Sequence, residues 1–248
     1  MSLAERLAAA IRDRRAIEAP TEDLSVDDAY EVQDELVKLL GGDVVAAKLG
    51  LTSLAKQEQM NVSEPLYGWL TDAMQLDVGQ PVLRDELIQP RVEPEIAFLL
   101  GEELGGRGVT AARVLAATHA VMPALEVLDS RFSGYRFTLP AVISDDASAG
   151  RFRLGNPVPL EAGTDLRLVG CMFEKNGELV ATAAGAAVLD DPAAAVAWLV
   201  RKLTARGRTL PAGTAVLSGA LCAAVTIEPG DLIRASFDRL GSVDLACR

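Results

Sequence analysis

The stretch of sequence that decides the fold runs from Arg91 to Leu100 and reads RVEPEIAFLL. Its apolar second half predicts a strand that enters a hydrophobic core. Residues two apart on a strand share a face, so we expect Glu93 and Glu95 to project together. Two adjacent carboxylates repel each other, and burying them without compensation would cost several kcal/mol, so a positive group is expected between them. Pro94 has no N–H, which favours a strand start, a sheet edge or a bulge at this point.

A third acid, Glu126, lies in the apolar stretch MPALEVLD at 122–129. A lone acid inside a buried strand needs a partner or a metal ion. Three carboxylates with no nearby His or Cys suit a hard cation such as magnesium or manganese better than zinc. The alternative for Glu93 and Glu95 is a solvated edge with two exposed acids, and the apolar run after them favours burial. Lys48 ends an apolar stretch, so its amine is expected to meet the acids, to bind an anionic ligand or to extend into solvent.

The composition is that of an acidic chain of 248 residues with a formal net charge of −11. Half of the residues are hydrophobic, which is enough for a sizeable core. No basic cluster stands out, so neither nucleic acid nor an anionic membrane is expected as a partner. Three separated cysteines without a CxxC pair favour reduced thiols in the cytosol. The sequence has no run typical of a signal peptide or a membrane span, so a cytoplasmic location is expected.

The hydrophobic spacing predicts a helical N-terminal region over 1–43 and a β-rich catalytic unit over 44–248. Helices are expected at 3–11, 25–40, 53–60, 110–119 and 191–207. Strands are expected at 44–49, 92–100, 121–128, 167–174, 178–184, 214–218, 231–237 and 242–247. Residues 129–155 are assigned no element. Strands outnumber helices after residue 43 without regular βαβ alternation, which predicts an α+β chain whose core is a largely β roll or barrel.

Several ordered motifs resemble the family of 2-oxopent-4-enoate hydratases and 4-oxalocrotonate decarboxylases, within the fumarylacetoacetate-hydrolase-like superfamily. They are KLGLTS at 48–53, EPEIAF at 93–98, PALEV at 123–127, DSR at 129–131, DDAS at 145–148, NGE at 176–178, LSGAL at 217–221 and LGSV at 240–243. The resemblance covers nearly the whole chain from about residue 25. It implies a distorted, mostly β roll of the fumarylacetoacetate-hydrolase C-terminal type. It also implies Mg²⁺ or Mn²⁺ held by Glu93, Glu95 and Glu126.

The resemblance also implies roles for six other residues. Two are predicted to be catalytic: Lys48, as the family's active-site lysine, and Ser148, which lies near the ligand. Four are predicted to bind the substrate, a small 2-oxo acid: Leu66, Tyr67, Arg131 and Asp145. A structural salt bridge is an equal alternative for Arg131, and Arg136 is a weaker candidate for holding a substrate carboxylate.

The sequence departs from the family pattern at two places. Asp146 stands where the family motif has Asn, and this extra acid is expected to alter the substrate charge that the site prefers. Ala46 and Ala47 replace the usual Gly and aromatic residue before the lysine, so the shape around Lys48 is expected to differ.

The stretch EPLYG at 64–68 separates two reactions of this family. Hydratases carry an Asp where Leu66 stands, and Leu66 cannot move a proton. Four stretches resemble those of the decarboxylases: EPLYG itself, FTLP at 137–140, VAT at 180–182 and GAAV at 185–188. An apolar neighbour such as Leu66 would also disfavour the charged carboxylate and favour neutral carbon dioxide. The sequence therefore predicts metal-dependent decarboxylation of 2-oxohex-3-enedioate (4-oxalocrotonate) to 2-hydroxypenta-2,4-dienoate in the meta-cleavage degradation of aromatic compounds.

Three alternatives are weighed against this prediction. The first is hydration of 2-hydroxypenta-2,4-dienoate, and the second is a non-catalytic assembly subunit of the same fold. The third is a carbon–carbon bond hydrolase, which commonly uses a His to activate water. The sequence has one His, His119, and it is expected at a helix end, where the helix dipole favours it. For partners, the resemblance implies a homo-oligomer that associates with a partner hydratase.

Overall fold

The computed structural model describes residues 1–21, 23–53, 57–58, 62, 64–161 and 163–248. The α-helices in these ranges are α1 (Leu3–Asp13), α2 (Val26–Leu40), α3 (Ala111–Ala117), α4 (Leu139–Ser144) and α5 (Pro192–Ala205). The strands are β1 (Val44–Gly50), β2 (Leu66–Thr71), β3 (Arg91–Leu100), β4 (Thr118–Leu128), β5 (Ala149–Leu154), β6 (Val158–Pro159), β7 (Gly170–Lys175), β8 (Glu178–Ala184), β9 (Ala215–Ala220), β10 (Val225–Thr226), β11 (Leu232–Phe237) and β12 (Gly241–Ala246).

Within the described ranges the strands form two sheets. The larger sheet has the order β2-β1-β9-β3-β4-β5, with β10 added to β3 and β6 added to β4. The smaller sheet has the order β12-β11-β7-β8. Neighbouring strands are antiparallel except β1 and β9, which run parallel. The α+β architecture with a largely β core, expected from the sequence, is confirmed.

Strand β3 lies at the centre of the larger sheet, between β9 and β4. Ile96 and Phe98 pack into the main hydrophobic core on one face, and Ala97 packs into a second cluster on the other. Both faces of the strand are therefore covered, which explains its nearly continuous apolar sequence. Glu93 and Glu95 are buried because β3 is covered by packing on both of its faces.

Pro94 lies inside β3 and not at its start, and of the three settings expected for it the structure shows a bulge or irregularity close by. It pairs with Leu125 on the β4 side, while the pairing of β3 with β9 begins only at Glu95. That pairing also shifts register between Glu95 and Ala97. The missing N–H of Pro94 is tolerated because it falls where the ladder to β9 is irregular.

Each of the two N-terminal helices begins after a serine that caps it. Ser2 and Glu5 form a capping box at α1, and the Ser25 side chain accepts from the backbone of Asp28 at α2. The boundary expected at residue 43 falls between α2 and β1. No helix among the described residues is both long enough and apolar enough to cross a membrane.

Some elements differ from the sequence-based expectations. Helix α3 ends at Ala117, so His119 lies in β4 as an exposed residue instead of at a helix end. Strands β2 and β5 and helix α4 were not predicted. The strand expected at 167–174 begins at Gly170, because residues 166–168 form a 3₁₀ turn. The helix expected at 53–60 falls largely outside the described residues.

Candidate metal centre and active site

Three glutamates converge at the centre of the larger sheet. Glu93 on β3 stands directly opposite Glu126 on β4, and Glu95 follows two residues later on the same face of β3. One carboxylate oxygen from each lies within 4.8 Å of the others. All three side chains are buried, and Glu95 and Glu126 are 0% exposed. Like charges placed opposite each other across strands are destabilising, so this arrangement calls for a cation.

The oxygens of this triad fit a hard metal ion. Glu95 Oε1 and Glu126 Oε2 are buried and have no hydrogen-bond partner among the described residues. The other Glu95 oxygen accepts from the Gly219 backbone N–H at 2.6 Å. Only glycine fits there, because φ is +118° and a Cβ would lie 2.1 Å from Thr52 Oγ1. An all-oxygen donor set, with buried oxygens of Glu95 and Glu126 that lack a hydrogen bond, is what Mg²⁺ or Mn²⁺ prefers.

Lys48 extends from β1 into the same cluster. Its Nζ lies 2.8 Å from Glu126 Oε1 and donates to the Ala147 carbonyl at 3.0 Å. Burial by itself would lower the pKa of Lys48, but the charges of the three glutamates outweigh it, and the pKa is raised. Lys48 therefore stays charged. With all three carboxylates ionised, as a bound cation would favour, the four side chains carry two more negative than positive charges, which matches a divalent cation.

The triad carboxylates are hard to ionise while they face one another. Burial raises the pKa of Glu95, and the charges of Glu126 and Glu93 raise it further. Burial also raises the pKa of Glu126, although Lys48 acts in the opposite direction. A cation among these carboxylates would favour their charged forms, so metal binding would release protons.

A tight turn between α4 and β5 brings three further residues to the cluster. Asp146, Ala147 and Ser148 have φ values of 47°, 53° and 60°, so three consecutive residues adopt the left-handed conformation. This backbone is strained and persists only where the surroundings hold it. Lys48 binds the carbonyl at its centre. The turn also packs on β2, where a Cβ at Gly68 would lie 2.7 Å from the Asp146 carbonyl oxygen.

Asp146 is the acid that replaces the family's Asn in this turn. Its Oδ1 accepts from the Trp69 backbone N–H at 2.8 Å. Its Oδ2 is buried without a partner among the described residues. Burial raises the pKa of Asp146 to about 8. Burial thus favours the neutral side chain, which resembles the Asn that it replaces.

A cavity of about 270 Å³ opens beside the triad. Four of the predicted site residues line it: Lys48, Leu66, Glu93 and Ser148. The rest of its lining is Gly50, Leu51, Arg91, Leu128, Tyr135, Phe137, Val142 and Ala147. Its lining is thus mostly apolar and contains one acidic residue, Glu93, and two basic residues, Lys48 and Arg91.

Arg131 and Asp145 lie away from the cavity lining and bind each other. The Arg131 guanidinium is 2% exposed, pairs with the Asp145 carboxylate and also donates to its carbonyl. It donates further to the carbonyls of Asp129 and Ala149, each at 2.7 Å. Ser148 Oγ lies 3.4 Å from the same Asp145 carboxylate. This placement favours the salt-bridge alternative for Arg131 and a supporting role for Asp145.

The other candidates from the sequence also lie outside the cavity lining. Tyr67 is fully buried and stacks on Tyr30, with ring centroids 4.4 Å apart. Arg136 and His119 are exposed. None of these three side chains reaches the cluster of Lys48 and the glutamates within the described contacts.

Arg91 is a cavity residue that the sequence-based prediction missed. Its guanidinium lies 4.1 Å from the centroid of the Tyr135 ring. The signal was present, because Arg91 precedes Glu93 by two residues and therefore shares its face of β3.

Comparisons with known proteins agree with this geometry. Residues 42–246 match the fumarylacetoacetate (FAA) hydrolase C-terminal family. The chain is 42% identical to a 4-oxalocrotonate decarboxylase of Pseudomonas sp. (strain CF600), over 98% of this chain and 94% of that protein. It is 40% identical to a 2-keto-4-pentenoate hydratase of Paraburkholderia xenovorans (strain LB400), over 89% of this chain and 83% of that protein.

A solved structure is also similar over nearly the whole chain. It is a 4-oxalocrotonate decarboxylase from Pseudomonas putida G7, complexed with magnesium and adipate. The TM-score is 0.93 at 38% identity, covering 99% of this chain and 96% of the other.

Proposed function

The chain belongs to the fumarylacetoacetate hydrolase C-terminal family, and from this premise we propose that it decarboxylates 2-oxohex-3-enedioate to 2-hydroxypenta-2,4-dienoate. Within the family it belongs to the decarboxylases and hydratases of meta-cleavage aromatic catabolism, which are lyases. The decarboxylase and hydratase relatives are nearly equally similar in sequence. The choice between the two reactions therefore depends on the residues around the cavity.

Leu66 is the observation that carries the decarboxylase assignment. It lines the cavity next to Lys48 and Glu93, and its side chain is 2% exposed. A Cβ at Gly50 would lie 2.8 Å from Leu66 Cδ1, so the side chain is closely packed in place. Leu66 has no proton to give or take, as adding water to a diene would require. An apolar wall instead disfavours a carboxylate relative to neutral carbon dioxide.

The reaction breaks the C5–C6 bond of the substrate. Carbon dioxide leaves, and the bonding electron pair moves through the alkene to the 2-oxo oxygen, which takes up a proton. We assign Glu93, Glu95 and Glu126 to hold Mg²⁺ or Mn²⁺, which when bound supplies Lewis-acid stabilisation of that oxygen's developing charge. Lys48 adds a fixed positive charge, because its raised pKa keeps it an ammonium beside these acids.

Ser148 and the apolar walls complete the proposed site. Ser148 Oγ lies at the cavity surface and is oriented by Asp145 at 3.4 Å. It can hydrogen-bond to a substrate oxygen. Leu128, Phe137 and Val142 contact the cavity and limit the water around the carbon chain. Limiting water strengthens each electrostatic interaction in the site.

Product identification tests the proposal. The purified protein is incubated with Mg²⁺ and 2-oxohex-3-enedioate, and carbon dioxide and the dienoate chromophore are followed. We expect carbon dioxide release with accumulation of 2-hydroxypenta-2,4-dienoate, and no reaction by a Glu126→Gln variant. Conversion of 2-hydroxypenta-2,4-dienoate to 4-hydroxy-2-oxopentanoate, without carbon dioxide release from the diacid, would instead establish the hydratase.

A Leu66→Asp variant separates the two reactions at one position. If the apolar wall favours loss of carbon dioxide, this variant loses decarboxylase activity, whereas Leu66→Met, which stays apolar, keeps most of it. Full decarboxylase activity in Leu66→Asp would count against the assigned role of Leu66.

Assembly is a further part of the proposal, drawn from the family resemblance. We expect a homo-oligomer that can associate with a partner hydratase. Sedimentation velocity of the protein alone measures its oligomeric state. The same measurement on a mixture with such a hydratase detects the association. For the alternative of a non-catalytic subunit, metal analysis decides, since a subunit without catalysis would not require a stoichiometric divalent cation.

A further inference from the structure

We propose that Arg91 is a specificity-determining residue that binds the substrate carboxylate farthest from the glutamate triad. The inference rests on the proposed function, since it takes a 2-oxo diacid as the substrate. It assigns the recognition of the second carboxylate to a residue for which the sequence motifs give no role.

The position of Arg91 on β3 places it at the outer end of the cavity. Along one face of this strand, Glu95 is 0% exposed, Glu93 is 4% exposed and Arg91 is partly exposed. Arg91 and Glu93 both line the cavity. Burial therefore decreases from the acids outward, and a ligand held by its 2-oxo acid end at the triad would point its other end toward Arg91.

The spacing fits a six-carbon diacid. Two residues of a strand advance by about 7 Å, which separates the backbone of Arg91 from that of Glu93. With C–C bonds of about 1.5 Å, an extended six-carbon chain is roughly 6 Å from end to end. The carbons between its carboxylates would lie against Leu128 and Phe137, which line the same cavity.

The Arg91 guanidinium is held in place by an aromatic ring. It lies over the Tyr135 ring at 4.1 Å, and the Tyr135 hydroxyl donates to the Gln89 carbonyl at 3.1 Å. Within the described part of the chain Arg91 makes no salt bridge with a carboxylate, whereas Lys48 pairs with Glu126. Stacking on a ring leaves the N–H groups at the guanidinium edge available for a carboxylate.

The leaving carboxylate loses its charge as carbon dioxide forms, so the interaction with Arg91 weakens toward the transition state. Arg91 thus supplies ground-state affinity and selects diacids without accelerating bond cleavage. Removing it should raise KM for 2-oxohex-3-enedioate by about tenfold or more while kcat stays level or rises. A fall in kcat at unchanged KM would overturn the proposal.

A pair of saturated ligands isolates the second carboxylate. 2-Oxoadipate and 2-oxohexanoate have the same chain length and the same 2-oxo acid end, and they differ only at the distal carboxylate. Their dissociation constants are measured by calorimetry on the Mg²⁺-loaded protein. We expect the wild type to prefer 2-oxoadipate by about tenfold or more.

Arg91→Met keeps the aliphatic stem and removes the charge. It should therefore weaken the binding of 2-oxoadipate alone and abolish the preference for this ligand. Arg91→Lys should restore part of it, and the control Arg12→Met, at an exposed position on α1, should retain all of it. Thermal unfolding of each variant checks the fold. The inference is overturned if Arg91→Met still prefers 2-oxoadipate to the same extent, including the case in which its affinity for both ligands falls equally. If neither ligand binds the wild type, the proposed function itself fails and the inference fails with it.

Discussion

Lys48 Nζ lies 2.8 Å from Glu126 Oε1, although the two residues belong to β1 and β4, with β9 and β3 between them in the sheet. Both side chains are almost completely buried. The ammonium thus reaches across two strands to the cluster of acids. This contact joins the lysine of β1 to a carboxylate of β4.

Replacing Lys48 by Met should destabilise the metal-free protein and inactivate the enzyme. Removing one partner of a buried pair leaves the other charge uncompensated, which costs about 3 kcal/mol. Loss of a positive charge beside the reacting oxygen should lower kcat by about 100-fold or more. Urea unfolding without and with Mg²⁺, together with a decarboxylation assay, measures both effects.

The matched control is Lys202→Met, since Lys202 pairs with Glu64 in a partly exposed salt bridge. Such a pair contributes at most about 1 kcal/mol. Equal stability losses in the two variants would mean that Lys48 does not compensate the buried acids.

Replacing Arg131 by Met should reduce stability far more than it changes substrate affinity. The guanidinium donates four hydrogen bonds, to the Asp145 carboxylate and to three backbone carbonyls, so the variant leaves a buried carboxylate without its cation. We expect a loss of about 3 kcal/mol or more in the free energy of unfolding, with KM of the remaining folded enzyme changed little. Arg136→Met, at an exposed position, should stay within about 0.5 kcal/mol of the wild type. A stable Arg131→Met protein with a strongly raised KM would restore the substrate-binding alternative.

Replacing Asp146 by Asn should remove part of the pH dependence of stability. Burial raises the pKa of Asp146 from 3.8 to about 8, so between these values the folded chain binds a proton that the unfolded chain releases. This group's contribution to stability is therefore present at low pH and is lost as pH rises through about 8. The free energy of unfolding of Asp146→Asn, relative to that of the wild type, should therefore grow by up to about 1.4 kcal/mol for each pH unit between 3.8 and about 8.

Urea unfolding at pH 5 and pH 8.5 measures this difference. Asn can still accept from the Trp69 N–H, so the turn should be kept. Asp13→Asn, at an exposed position in α1, is the control and should follow the wild type at both pH values. A constant difference between Asp146→Asn and the wild type would show that Asp146 is already ionised in the folded protein.

The sequence predicted those parts of the fold and site that depend on local periodicity. The alternation around Glu93 and Glu95 placed two acids on one face, and the hairpin at Asn176 and Gly177 formed as its turn residues require. The isolated Glu126 in an apolar strand was expected to need a partner, and it stands opposite Glu93.

What the sequence could not predict depends on contacts between distant segments. Residues 66–71 are buried throughout, so β2 lacks the alternation that would mark a strand. The left-handed turn at 146–148 contains no glycine, and it is held by its packing on Gly68 and by hydrogen bonds from Lys48 and from the Trp69 backbone N–H. The pairing of Arg131 with Asp145 likewise depends on how α4 packs, since neither residue's partner can be read from spacing alone.

The central claim is that Glu93, Glu95 and Glu126 hold one divalent cation. Calorimetric titration of Mn²⁺ into the metal-free protein at pH 8 tests it most directly, with Glu95→Gln beside the wild type and Glu102→Gln, at an exposed position, as the control. We predict one ion per wild-type chain, an affinity at least about tenfold lower in Glu95→Gln, and no change in Glu102→Gln. Equal stoichiometry and affinity in all three proteins would contradict the claim.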